Sequence, residues 1–516
     1  MKILLSSIVL ILGSTALRAA DKPNIIFILC DDLGYGDVKC YNPEGKIPTP
    51  NMDRLAKEGM RFTDAHSPSA VCSPTRYGIM TGRYAWRSKL QRGVLGGLSP
   101  RLIEKDRQTV AGFLKNHGYH TACIGKWHLG MDWVVKPGKS VNPLSIESRE
   151  QVFNVDYDQP ISNGPNAVGF DYYFGISASL DMVPYTFIEN NKVVKSPTED
   201  RDFAMMFGKA QGRCRKGPTA PGFEVEDVLP TLTSKAITYV QDRAKEKKPF
   251  FLYLPYASPH TPIAPTKEWQ GKSKLNPYAD FVMQTDDCIG QLLKQLDESG
   301  IAKNTLVICT SDNGCSPQAD FAALEAKGHH PSGPLRGHKA DIFEGGHRVP
   351  FLVRWPEKLK AGTTSSELVN LVDLFATCAE IIDQPLPATA AVDSVSLLPA
   401  LGITSDGKPR TTTIVHSING SFAIRDGKWK LALCPDSGGW SAPRPGKKAT
   451  ILPDMQLFDL SRDLAERTNL VEEHTERVAE MAALLEMQVI KGRSTPGKPT
   501  TNTVPVDIFK FSPKKK

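Results

Sequence analysis

The chain has 516 residues, of which 40% are apolar and 23% charged, with ten cysteines and a formal net charge of +7. That length supports more than one domain with a full hydrophobic core, and the composition excludes a low-complexity or disordered chain. A charge this modest, with no basic-aromatic motif beside it, gives no footing for nucleic-acid binding and is compatible with anionic substrates.

Residues 1–20 combine Lys2, an apolar run over 3–12 and small residues ending at Ala19-Ala20. This is the layout of a secretory signal peptide, and the run falls short of the ~20 apolar residues a spanning helix needs. The expectation is cleavage after Ala19 or Ala20 and a secreted or periplasmic protein with no membrane span. Residues 24–30 then form a continuous apolar run of strand length. Thr49 is a plausible N-cap, with Pro50 at the first helical position, for a helix carrying Met52, Leu55 and Ala56 and stopping at Gly59. Pro68, Ser69, Ser73 and Pro74 interrupt regular structure around Cys72, while residues 75–81 suit a short helix ending at Gly82. Cys72 is therefore placed near a helix N-terminus, where free N–H groups, the positive dipole end and Arg76 one turn on favour a developing anion.

The same punctuation recurs downstream. Val110, Phe113 and Leu114 mark a helix closed by Gly118 before a strand over 119–124. Leu232, Ala236, Ile237 and Val240 mark another before 250–254. Phe281, Ile289, Leu292, Leu293 and Leu296 mark a third before 305–309, and 351–354 reads as a further strand. Such alternation argues an α/β domain with a largely parallel sheet covered on both faces. From 133 to 229 the periodicity fades and the chain reads as long loops or insertions. After Leu401, short strands at 412–416, 422–424 and 429–433 and a helix over 472–490 describe a small α+β domain, entered through the turn-rich stretch 402–407. The expected organisation is a signal peptide at 1–20, a catalytic domain at 21–400, a C-terminal domain at 401–492 and a basic, loosely held tail at 493–516. The ten cysteines include no C-x-x-C pair, which disfavours zinc-ribbon and thioredoxin-like sites. Cys30, Cys309 and Cys378 lie in apolar patterns where a free thiol packs as a small hydrophobe.

The chemistry-bearing residues gather at strand ends. Asp31-Asp32 follow the run 24–30, and Asp312-Asn313-Gly314 follow the run 305–309. Either pair alone is everyday turn chemistry, but strand ends of an α/β sheet face the binding crevice. Three carboxylates buried together without a cation would be costly. A divalent ion resolves the conflict, and all-oxygen ligation favours Ca²⁺ or Mg²⁺ over Zn²⁺. Gly125-Lys126-Trp127-His128-Leu129-Gly130 sits at a third strand end, and Ser258-Pro259-His260-Thr261-Pro262 at a fourth. A lone Lys or His in such a loop is usually a solvated or hydrogen-bonding residue. Their repeated placement after strands argues that they share one site.

Cys72-Ser73-Pro74-Thr75-Arg76, followed by Met80-Thr81-Gly82-Arg83, resembles the activation signature C-x-P-x-R of the formylglycine-dependent sulfatases, within the alkaline phosphatase superfamily. The G-K-W-H-L-G and P-H-x-P motifs match as well, and Leu335-Arg336-Gly337-His338-Lys339 resembles the family's second lysine motif. Residues 169–175, 344–350 and 457–470 extend the likeness in the family's order, from about 22 to 470. The resemblance implies an alkaline-phosphatase-like core, with a mostly parallel central sheet flanked by helices and a smaller C-terminal domain. It implies a sulfuric ester hydrolase cleaving a sulfate monoester, with a sulfated carbohydrate preferred by family analogy. Cys72 would be oxidised to formylglycine by a formylglycine-generating enzyme, and the hydrated aldehyde would attack sulfur. The family's metal ligands fall on Asp31, Asp32, Asp312 and Asn313, completed by the oxygen of residue 72. Such chemistry needs cations around the transferring group and an acid for the departing alkoxide. Lys126, Lys339 and Arg76 supply the charge, and His128 and His260 the protons. Ser179 is a weaker match to a family sulfate contact, and His329, His330, His338 and His347 have no family role. Two alternatives remain at this point. One is a phosphodiesterase or phosphonate monoester hydrolase sharing C-x-P-x-R, against which Asn313 speaks because those relatives tend to place His beside the late Asp. The other is an inactive sulfate-binding homologue in which Cys72 is never matured.

Overall fold

In the computed structural model the apolar run after Pro23 is strand β1 (Asn24–Cys30), with Ile25, Phe27 and Leu29 facing one core and Ile26, Ile28 and Cys30 the other. A strand whose two faces are both covered must read as continuous apolar sequence, because successive side chains point to opposite sides. The described residues are 22–510, apart from 210, 211 and 406. The signal-peptide reading of residues 1–20 and the last six residues of the expected tail lie outside them.

β1 sits near the middle of a ten-stranded sheet. The other members are β2 (Met60–Phe62), β3 (His120–Lys126), β4 (Tyr172–Ile176), β5 (Ile188–Glu189), β6 (Lys192–Val193), β7 (Phe250–Pro255), β8 (Thr305–Ser311), β9 (Phe351–Arg354) and β10 (Thr363–Ser365). Their order is β10-β2-β9-β8-β1-β7-β3-β4-β5-β6, and the run β8-β1-β7-β3-β4 is parallel throughout. Helices α1 (Pro50–Glu58), α4 (Val228–Ala244) and α5 (Pro277–Glu298) bury their apolar stripes on one face. Helices α2 (Cys72–Thr81), α3 (Val110–Asn116) and α6 (Leu374–Ile381) cover the other. Each fully buried Leu, Ile or Phe in these layers contributes about 1.5–3 kcal/mol.

Several expectations are corrected in detail. Helix α2 begins at Cys72 rather than 75, with Val71 as its extended N-cap. Ser73 and Pro74 do not interrupt it, because first-turn N–H groups have no intrahelical partner and a proline there removes no hydrogen bond. Thr49 stands at the N-cap of α1, but its hydroxyl accepts from Lys39 N at 2.9 Å instead of capping. The stretch 133–229 is not wholly loop, since β4 joins the sheet beside β3. Gly175 disguises β4, and it is required: a Cβ there would lie 1.8 Å from the carbonyl oxygen of Gly125.

Beyond residue 400, β11 (Thr412–His416), β12 (Phe422–Asp426), β13 (Trp429–Ala432) and β14 (Gln456–Asp459) form an antiparallel sheet, of which the last strand was not expected. Helix α7 (Thr475–Ile490) packs Val478, Met481, Leu485 and Val489 on one face. The opposite face rests on Ile342 and Phe343 of the larger domain. The basic end expected to be loosely held is anchored as far as Lys510. Thr503 N donates to Arg87 O at 2.7 Å, and Ile508 is buried in the core beneath α7. All ten cysteines are free thiols, and among the described residues no helix is long and apolar enough to cross a membrane.

Candidate active site

The parallel strands β1, β3, β7 and β8 end side by side, so the residues that follow them converge at one edge of the sheet. Asp31 and Asp32 follow β1, Lys126 closes β3 with His128 two residues on, His260 follows β7, and Asp312 and Asn313 follow β8. The chain must turn sharply at each exit. Asp32 (φ 66°) and His128 (φ 55°) are held in the left-handed region, a strained state that persists only where the surroundings over-determine it. Helix α2 points its first residue, Cys72, at the same spot. One ligand atom each from Asp31, Cys72 and Asp312 lie within 4.8 Å of one another, and the same holds for Asp31, Asp32 and His260.

Charge balance in this buried centre is specific. Lys126 Nζ donates to Asp31 Oδ2 at 2.5 Å and to Ser179 Oγ at 2.9 Å. Lys339 Nζ donates to Asp32 Oδ2 at 2.8 Å. Arg76 donates through Nε (3.1 Å) and Nη2 (2.8 Å) to Asp312 Oδ2 and through Nη1 to the Lys126 carbonyl at 2.8 Å. Its guanidinium also lies 3.5 Å from Asp31. Arg76 therefore holds the carboxylates and the β3 exit together.

Burial opposes charge on Asp31, but Lys126, His260 and Arg76 outweigh it and hold the carboxyl well below its usual range. Burial, reinforced by Asp31, pushes Asp312 up instead. Burial opposes charge on Lys339 too, and the Asp32 carboxylate outweighs it and raises the ammonium. The Cys72 thiol is raised by burial.

The two histidines differ. His128 donates from Nε2 to the Leu95 carbonyl at 2.8 Å, which leaves Nδ1 as the unprotonated nitrogen, buried and without a partner. Burial, then the nearby Lys126, keeps this ring well below the ordinary histidine value, so it is neutral. His260 donates from Nδ1 to the Thr261 carbonyl at 2.6 Å and sets Nε2 3.3 Å from Ser179 Oγ and 3.6 Å from Asp32 Oδ2. Two oxygens remain buried and unpartnered at the centre, Asp31 Oδ1 and Asn313 Oδ1. Orphaned hard donors beside three carboxylates are what an oxygen-ligated divalent cation would satisfy.

The Sulfatase family model matches residues 23–383. The chain belongs to the sulfatase family. It is 33% identical over 503 residues to the N-acetylgalactosamine-6-O-sulfatase of Bacteroides thetaiotaomicron, covering 90% of this chain and 93% of that one. It is 31% identical over 505 residues to human arylsulfatase A, covering 93% and 90%. A solved structure from work on glycosaminoglycan metabolism in B. thetaiotaomicron superposes with a TM-score of 0.76 at 33% identity, covering 91% of this chain and 99% of that one.

The chain is thus a sulfuric ester hydrolase of alkaline-phosphatase-like fold. The candidate centre brings together Asp31, Asp32, Cys72, Arg76, Lys126, His128, His260, Asp312, Asn313 and Lys339. Ser179, a weak sequence match, bridges Lys126 and His260. No strand-end signal marks it, since it lies three residues past the overlooked β4. The remaining histidines fall elsewhere: His329 is buried against Asp37 at 2.8 Å, His347 against His66 at 3.0 Å, and His330 is exposed. His338 neighbours Lys339, its Nδ1 donating to the Lys339 carbonyl at 3.0 Å.

Proposed function

We propose that this sulfatase cleaves the sulfate monoester of a carbohydrate at the centre just described, with Cys72 matured to formylglycine. The observation that carries the reading is the placing of Cys72 at the start of a buried helix, against Asp31 and Asp312, with two lysines and two histidines around it. The thiol occupies the position that the hydrated aldehyde would take. A Ca²⁺ ion, with Mg²⁺ as the alternative, fits the donor set of Asp31, Asp32, Asp312, Asn313 and the oxygen of residue 72. When bound it supplies positive charge for the transferring sulfate.

The side chains divide the remaining work. Lys126 and Lys339 hold sulfate oxygens and offset charge that develops as the ester bond breaks. His260, as the imidazolium with Nδ1–H held by the Thr261 carbonyl and Asp32 beside Nε2, gives its Nε2 proton to the departing alkoxide and is left neutral. His128, neutral and with Nδ1 free, takes the proton whose loss expels sulfate. Arg76 positions the carboxylates and helix α2, and Ser179 orients Lys126 and His260.

A carbohydrate substrate rests on the B. thetaiotaomicron relative, which is named an N-acetylgalactosamine-6-O-sulfatase. Secretion by a signal peptide and maturation by a formylglycine-generating enzyme belong to the same reading. A screen of regiochemically defined sulfated mono- and disaccharides with matured enzyme tests it, beginning with N-acetylgalactosamine 6-sulfate. Turnover of aryl sulfates alone, with every sugar sulfate inert, would overturn the carbohydrate assignment.

A further inference from the structure

Lys339 is carried by a turn whose main chain is tied to separate parts of the molecule. Lys339 N donates to Cys315 O at 2.9 Å, two residues past Asn313, and Ala340 N donates to Ala70 O at 2.8 Å, two residues before Cys72. The C-terminal domain supplies the next partners. Ile418 N donates to Ala340 O at 3.0 Å, and Ile342 N to Ser437 O at 2.7 Å. Ala340 adopts φ 81°. A non-glycine residue held there is strained and stays only because its neighbours fix it.

The side chain that closes this arrangement is Asp341, which is fully buried. Its Oδ1 accepts from Trp440 N at 2.7 Å and Ser441 N at 3.0 Å, and its Oδ2 accepts from His338 N at 3.0 Å. The loops press tightly around it: a Cβ on Gly439 would lie 2.5 Å from Oδ1, and one on Gly337 2.9 Å from Oδ2. One carboxylate thus joins the residue before Lys339 to a loop of the C-terminal domain through charge-assisted hydrogen bonds.

We propose that Asp341 is a positioning residue for Lys339: by stapling the 437–441 loop to the Lys339 turn, it makes the C-terminal domain part of the catalytic centre. The proposal rests on the sulfatase reading, in which Lys339 holds the sulfate. The test is a double-mutant cycle on nitrophenyl sulfate with matured Asp341→Ala, Lys339→Ala and the double variant. Asp341→Ala is expected to lower kcat by about 10-fold and to raise KM by about 5-fold, because a displaced ammonium binds sulfate less well. In the Lys339→Ala background the same change should matter by less than about 2-fold, since the residue it acts through is gone. Asp341→Asn keeps an oxygen for Trp440 and Ser441 and should fall between; it carries the cycle if the alanine variant does not fold. Additive losses, or a lower kcat per chain with KM unchanged, would overturn the proposal. A wild-type enzyme inert on every sulfate ester would instead overturn the sulfatase reading. In that case a crystal structure of Asp341→Asn still decides the staple, which fails if the Lys339 turn has not moved relative to Asp32.

Discussion

Lys430, on strand β13 of the C-terminal sheet, reaches Glu344 of the catalytic domain at 3.0 Å, with both side chains buried. Glu466 lies 2.8 Å from the same ammonium, and Arg348 braces Glu344 at 3.2 Å. Burial opposes charge on Glu344, yet Lys430 outweighs it and keeps the carboxyl well below its usual range. Lys430→Met should therefore strand the Glu344 carboxylate in the interface, leave Glu466 to take up a proton, and destabilise the protein by about 3–5 kcal/mol. Chemical denaturation measures it. Adding Glu344→Gln and Glu466→Gln should recover part of the loss, and a loss under about 1 kcal/mol in the single variant would refute the account.

Acid should destabilise the fold from just below neutrality. Burial lowers His66, His347 and His416, the last to about 3. A folded-state value below the unfolded one gives stability that is present above the unfolded value of about 6.5 and is lost as pH falls, because the unfolded chain takes up protons the buried rings refuse. His416 should forfeit about 2 kcal/mol between pH 6.5 and 5, and His66 and His347 lose stability in the same direction. Glu466 runs the other way: burial raises it to about 7, so it gains stability over the same interval. Asp286 and Asp312, each raised by burial to about 6, join it below pH 6, the buried neutral His128 joins the rings, and the rings outweigh the carboxyls. Thermal melts that are flat or rising from pH 7 to 5 would contradict this balance.

Residue 72 should be formylglycine in active protein, because an unmodified thiol cannot form the diol that the chemistry requires. Peptide mass analysis of the segment containing residue 72 gives the answer, and intact cysteine throughout fully active enzyme would remove the mechanism. Cys72→Ala should abolish turnover while the far-UV spectrum and melting behaviour stay close to wild type, since a small buried group is exchanged for another.

One Ca²⁺ or Mg²⁺ should be found per chain, because the donors are hard oxygens with neither imidazole nor thiolate in the set. Chelation should lower activity and melting temperature together, as Asp31, Asp32 and Asp312 lose a shared counter-charge. Stoichiometric zinc that survives calcium exchange and supports turnover would contradict the ligand assignment.

The two histidines should fail differently when removed. His260→Ala should lose about 100-fold or more on a sugar sulfate and far less on nitrophenyl sulfate, because a phenolate leaves without a proton and a sugar alkoxide does not. His128→Ala should release about one equivalent of alcohol per chain and then stall, leaving sulfate on the peptide that carries residue 72. Equal losses on both substrates, with no burst, would mean that the roles are wrongly divided.

Sequence alone determined the parallel αβ core and the centre, because buried strands must read as continuous apolar runs and the ligands must follow those runs directly. Asp31-Asp32, Lys126, His128, His260 and Asp312-Asn313 each sit within six residues of such a run, so their shared position could be read before any fold was known. Tertiary structure alone decided what depends on partners distant in the chain. Arg76 carries a motif that suggests a ligand-facing charge, yet its guanidinium is taken by Asp312 and the Lys126 carbonyl, 236 and 50 residues away. Strand β4 stayed hidden because Gly175 weakens the apolar pattern, and only the approach of Gly125 explains the glycine. The last residues looked free because their composition is basic and proline-rich, while the contacts that hold them are the Arg87 carbonyl, far back in the chain, for Thr503 and, for Ile508, a core shared by Trp86, the C-terminal sheet and α7. Local pattern records which face of an element is buried; it does not record what lies across the interface, and in this protein the interface places Lys339.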